Sequence, residues 1–154
     1  MTGADIALLC LTLSKRLATM KTMRDPMEIL RELGIQPTPQ RIAVVDCVLH
    51  NPSHPTAEHV LKLARESCPT VSRATVYNTL NLLVEKGVLK TQLLREGVVM
   101  FDANLERHHH FIDEETGEIH DIPWEYLGVS GGSNLKDFQI RDYQVILRGR
   151  KKKE

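Results

Sequence analysis

The chain is short of cysteine, of aromatic residues and of long apolar runs. Its three cysteines, Cys10, Cys47 and Cys68, are odd in number and far apart, and none follows Cys68. That spacing offers neither a disulfide framework nor a cysteine-based zinc site, so each is expected to serve as a small buried hydrophobe. The most apolar stretch, IALLCLTL at 6–13, ends after eight residues, just before Lys15 and Arg16. It is too short to span a bilayer and lacks a positive leader or small-residue cleavage site, which predicts a cytoplasmic protein with no membrane partner. Net charge is lacking too: the formal value is +0, so the whole molecule presents no field biased toward polyanions.

What is present is enough apolar residue for a core, 42% of 154, in one ordinary domain or two small ones. The charges are uneven. Residues 101–154 hold eleven acidic and eight basic residues, and carboxylates beside histidines suit cations better than phosphates. The closing RGRKKKE reads as a solvated end. Residues 1–23 form an N-terminal extension in which Ile6, Leu9, Leu13 and Leu17 recur at helical spacing; it is expected to be helical or disordered, and Met20 and Met23 are alternative starts.

Residues 24–103 repeat one helix grammar. Asp25 and Pro26 open a helix that Gly34 stops, and Thr38 with Pro39 opens the next. Thr56 caps a third helix, ended by Pro69, and Ser72 caps a fourth, closed by Gly87. GVLKTQLLREGVVMFDAN then reads as a hairpin turning at Arg95, Glu96 and Gly97. Helices followed by a small hairpin predict a winged helix-turn-helix whose fourth helix enters the major groove. Ser72, Arg73, Thr75, Tyr77 and Asn78 stand near its leading end, where Arg and Asn suit base edges and hydroxyls suit phosphates.

After a hinge at 104–107, residues 108–154 change to strands: HHHFI, a DEETG turn, EIHDI, an irregular stretch from Pro123, and a last strand FQIRDYQVIL. The expected fold class is therefore α+β, an N-terminal winged helix-turn-helix followed by a small α/β dimerisation domain. Three strands and a small helix cannot cover both faces, so a homodimer is expected to complete the core. Strand alternation puts His108 and His110 on one face and His109 on the other, and Asp121 on the paired strand can join the first pair. Two imidazoles and a carboxylate suit a divalent transition metal, although the pattern alone suits a solvated strand equally.

PTPQR, HPTAEHV, SRATVYNTL, EKGVL, FD and HHHF come in an order and spacing that resemble the ferric uptake regulator family of metal-dependent repressors, from about Asp25 to Asp121. The resemblance implies a regulatory metal, ferrous iron or manganese, held by His54, Asp102, His108, His110 and Asp121, and a dimer on palindromic double-stranded DNA. Metal binding would fix the angle between the two halves and favour the DNA-competent dimer. Aspartate at both acid positions resembles the peroxide-sensing branch, in which iron and hydrogen peroxide oxidise a ligand histidine, here His54 or His108. The family's first structural-zinc cysteine pair falls on Asp113 and Thr116, so no structural zinc is expected. The rival implication is a haem- or iron-responsive regulator, since HHH and the Cys68–Pro69 dipeptide resemble haem-responsive members; His109 is then the candidate haem ligand. His109 otherwise reads as exposed, or as part of a second metal site with Glu118 or His120. A non-haem iron enzyme using His108, His110 and Asp121 is a third reading, disfavoured because five ligands nearly fill the shell and no general base accompanies them.

Overall fold

The computed structural model describes residues 25–51 and 54–152. The N-terminal extension, with Cys10, lies outside the described residues. The rest divides into two compact units, one ending at Leu105 and the other beginning at Glu106.

The first unit holds α1 (Pro26–Glu32), α2 (Pro39–Leu49), α3 (Ala57–Ser67), α4 (Arg73–Glu85), β1 (Lys90–Arg95) and β2 (Val98–Asp102). Each helix starts where its capping side chain predicts. Asp25, Thr38, Thr56 and Ser72 accept the backbone N–H of Met27, Arg41, His59 and Thr75 respectively, satisfying donors that the first helical turn leaves without an intrahelical partner. Gly87, at φ +69°, turns the chain from α4 toward the hairpin, a left-handed backbone that a side chain would strain. Val44, Val45 and Val48 of α2, Val60 and Ala64 of α3, and Val76, Leu80 and Leu83 of α4 meet in one core with Leu30 and Phe101. The buried Thr79 hydroxyl donates to the Thr75 carbonyl at 2.7 Å, so the core carries it without an orphaned donor. Cys47 and Cys68 are free thiols against this core. Burial, helped by Asp46 and Glu66, pushes the Cys47 thiol up and keeps it protonated. The hairpin pairs Lys90 with Asp102 and Arg95 with Val98, with an irregularity between Gln92 and Arg95.

The second unit is a three-stranded sheet in the order β4-β3-β5, from β3 (His108–Asp113), β4 (Ile119–Pro123) and β5 (Ile146–Gly149). β4 is antiparallel to β3, and β5 is parallel to it. A parallel neighbour needs a long crossover, and residues 124–145 supply one that holds only two short 3-10 turns, Trp124–Tyr126 and Gly132–Asn134. The predicted last strand is therefore corrected: Phe138 to Val145 is not a strand, and β5 starts at Ile146, opposite His110. Phe138 and Ile140 are exposed, Asp142 is bound to Arg107, and Tyr143 packs on Trp124. With those side chains so used, ladder pairing along β3 begins only at Ile146. No helix of the described residues is long and apolar enough to cross a membrane.

The turn between β3 and β4 is closed by hydrogen bonds. One Asp113 oxygen accepts from the N–H of Glu115 at 2.8 Å and of Thr116 at 3.3 Å, while the Gly117 N–H reaches the Asp113 carbonyl. The Glu115 N–H, aided by those of Thr116 and Lys151 and opposed by desolvation, holds the Asp113 carboxyl below the usual carboxylate range. A lowered folded-state value means that this stabilisation is present above the unfolded value near pH ~3.9 and is lost as pH falls through the folded value. Asp113→Asn is therefore expected to lower the denaturant midpoint at neutral pH and to flatten its acid dependence below about pH 4. Denaturation curves at pH 7 and pH 3 check this, and parallel pH profiles for wild type and variant would contradict it.

Candidate metal centre and nucleic-acid helix

In the second unit the register decides which side chains meet. His110 lies directly across from Asp121, and Phe111 across from His120, so His108, His110 and Asp121 share one face while His109 and His120 take the other. His108 and His110 are buried, and Asp121 lies at the edge of the site. Their ring nitrogens approach closely: His108 Nε2 is 2.9 Å from His110 Nε2, and Asp121 Oδ1 lies 3.6 Å from the first and 3.9 Å from the second.

The protonation pattern follows from one further bond. His108 Nδ1 donates to the Glu106 carbonyl at 2.8 Å, because a carbonyl can only accept. The neutral ring then carries its lone pair on Nε2, the atom facing His110 and Asp121. A histidine whose outer N–H is tied to a backbone carbonyl is the usual arrangement of a metal ligand. Atoms each about 2.0–2.2 Å from one cation are themselves roughly 3–4 Å apart, so the three separations fit a shared ion.

In the first unit His54 and Asp102 form a second pair. Both are buried, at 4% and 3% exposure, with His54 Nε2 at 3.6 Å from Asp102 Oδ2. The Phe101 N–H bonds the Pro55 carbonyl at 3.0 Å, tying the His54–Pro55 turn to β2. His54 has φ +46°, alone in that region among the described non-glycine residues. The residue before a proline is pushed toward extended backbone, so this conformation costs energy, and such outliers concentrate where a side chain must be aimed. Asp102 Oδ1 accepts the Asn104 N–H at 2.7 Å, and Oδ2 faces Lys90 Nζ at 3.5 Å as well as His54.

His109 is corrected. It is 0% exposed, with its ring 4.5 Å from Trp124 and 6.0 Å from Tyr143. Nδ1 accepts the Val145 N–H at 3.2 Å, and Nε2 donates to the Leu127 carbonyl at 3.3 Å. It therefore presents no nitrogen to a haem iron or to a second metal with Glu118 or His120. Arg107 covers the group, its guanidinium 4.1 Å from the Trp124 ring and 2.6 Å from Asp142. His120 Nε2 lies 3.6 Å from Glu118 Oε2, on a partly exposed edge.

The five residues expected to touch DNA stand at the start of α4. Ser72 and Thr75 are occupied in capping, with hydroxyls 2.9 Å apart, while Arg73, Tyr77 and Asn78 are exposed. Glu58 Oε1 receives both Arg73, at 2.7 Å, and the Tyr77 hydroxyl, at 3.3 Å. The sequence reading missed Glu58 and Lys90. Helical geometry hides the first, but the hairpin register, which sets Lys90 opposite Asp102, could have found the second.

The family model described as ferric uptake regulator family matches residues 32–147. A peroxide-responsive repressor, PerR, of Staphylococcus aureus strain Mu50 is 28% identical over 129 residues, 82% of this chain and 87% of that protein. A zinc-bound manganese uptake regulator matches with TM-score 0.64 at 22% identity, over 83% of this chain and 99% of its own. A ferric uptake regulator from Pseudomonas aeruginosa, solved with manganese, matches with TM-score 0.56 at 25% identity, over 85% and 100%.

Proposed function

The chain belongs to the ferric uptake regulator family, a family of metal-responsive transcription regulators rather than enzymes, and from that premise we propose that it is a dimeric repressor sensing hydrogen peroxide through a bound metal ion. The observation that carries the proposal is the His108 tautomer: with Nδ1 tied to the Glu106 carbonyl, Nε2 stands ready beside His110 Nε2 and Asp121 Oδ1. The Staphylococcus aureus relative, a peroxide-responsive repressor, supports the choice within the family.

In this reading His108, His110 and Asp121 from the second unit join His54 and Asp102 from the first around one ion. Three imidazoles, two carboxylates and no thiolate favour ferrous iron or manganese. Ligands drawn from both units give the ion a differential affinity for one arrangement of the units, which is what a regulator needs. Those five side chains would hold ferrous iron, which would supply the reducing chemistry for hydrogen peroxide within reach of the ligand imidazoles. His54 and His108 are the rings expected to gain oxygen, and a ring so altered loses its lone pair for the ion. α4 then reads the operator through Arg73, Tyr77 and Asn78, with Ser72 and Thr75 toward phosphates. Dimerisation is supported by the second unit's exposed apolar side chains, among them Tyr126, Phe138 and Ile140, and a two-fold dimer matches a palindromic double-stranded operator.

The test is operator binding by protein loaded with ferrous iron or with manganese, before and after peroxide, with mass spectrometry of the peptides holding His54 and His108. Iron-loaded protein is expected to release DNA and gain oxygen on those peptides, while manganese-loaded protein does neither. Equal release from both forms, with no added oxygen, defeats the peroxide mechanism.

A further inference from the structure

Asp102 is a nearly fully buried carboxylate, and a charge removed from water must be compensated by a partner. One of its oxygens, Oδ1, is engaged by the Asn104 N–H. The other, Oδ2, faces two groups of the same unit: His54 Nε2 at 3.6 Å and the Lys90 ammonium at 3.5 Å. Lys90 stands there because the β1–β2 ladder places it directly across from Asp102. Its side chain is 30% exposed, and a lysine ammonium on a four-carbon stem is strongly hydrated and reaches water by rotation of its own stem. The compensating charge is thus held at the oxygen that faces His54, yet can leave it without disturbing the hairpin.

We infer that Lys90 is a built-in competitor for the metal: its ammonium occupies Asp102 Oδ2 in the metal-free chain and must be expelled when a divalent cation takes that oxygen. The inference rests on the five-ligand reading above and adds to it a positioning residue that is not itself a ligand. While it lies 3.5 Å from the oxygen, the ammonium repels an incoming dication, and the repulsion is weakened by water only once the ammonium has moved out. Lys90 therefore raises the metal concentration at which the site fills, while keeping Asp102 paired until it does. Its place on the hairpin also couples filling of the site to a change in the charge that the wing displays to solvent.

Two measurements on the full-length protein test this, with manganous ion as the probe. In the first, wild-type protein is treated with an amine-acetylating reagent with and without saturating manganese, and the modified lysines are counted by mass spectrometry. Acetylation of Lys90 is expected to rise severalfold on loading, while the exposed Lys62 and Lys86 serve as unchanged references. In the second, chelator competition compares wild type with Lys90→Met and Lys90→Arg. Removal of the ammonium is expected to tighten manganese binding on the order of tenfold, and arginine to restore an affinity near wild type. If wild type binds manganese but Lys90 acetylation stays constant or falls, or if Lys90→Met binds no more tightly, the competitor role is overturned and the ligand set stands. Failure of the wild-type protein to bind manganese overturns both.

Discussion

Replacing His110 with alanine is expected to weaken manganese binding at least about 100-fold, because even the outer partners of metal ligands are each worth roughly 10–100-fold. His110 is 0% exposed, and its Nε2 lies 2.9 Å from His108 Nε2 and 3.9 Å from Asp121 Oδ1. Its loss removes one donor and also the ring against which His108 packs, edge to face, with centroids 4.5 Å apart. Chelator competition at neutral pH measures the effect, since the imidazoles must be neutral to bind. His110→Gln keeps a polar side chain of similar reach without the imidazole, so it separates a lost ligand from a collapsed cavity. Both variants are expected to lose metal affinity, and operator binding with it. Affinity within about threefold of wild type in a folded His110→Gln protein, well short of the ligand-level loss, would remove His110 from the ligand set.

The parts of the fold that local chemistry controls were legible in the sequence. All four capping side chains, Asp25, Thr38, Thr56 and Ser72, bond the N–H groups that their positions predict. The convergence of His108, His110 and Asp121 also follows from period-two alternation once the DEETG turn sets the register. What failed depended on contacts between residues distant in sequence. FQIRDYQVIL alternates like a strand, but a strand exists only where an edge is free to pair it, and here pairing starts at Ile146. Glu58 meets Arg73 and Tyr77 across a helix-turn-helix, which spacing alone does not reveal. His109 was the hardest case. A polar residue on the strand face opposite the metal cluster reads as solvated unless the crossover that covers it is known, and that cover consists of Trp124 and Tyr143, from residues with almost no regular structure.

His109→Ala should therefore behave as a core mutation rather than a ligand mutation. The ring holds the crossover onto β3 at two points, accepting from the Val145 N–H and donating to the Leu127 carbonyl, and it fills the space between Trp124 and Tyr143. Truncation leaves both backbone groups without that partner and opens a void beside two aromatic rings, an expected loss of about 2–4 kcal/mol in the stability of the second unit. Trp124 is the single tryptophan and packs on the ring in question, so denaturation followed by its fluorescence reports the loss directly. Manganese affinity of the folded variant is expected to change less than about tenfold, below the loss that a ligand's removal brings, because the ring faces away from His108 and His110. The contrast with His110→Ala divides the histidine triplet by strand face: loss of one ring is read in metal affinity, and loss of its neighbour in stability with the affinity largely kept. A His109→Ala protein of wild-type stability that had lost a haem absorption band present in the parent would invert the assignment, since a ring free to bind iron cannot also be the pin between Val145 and Leu127.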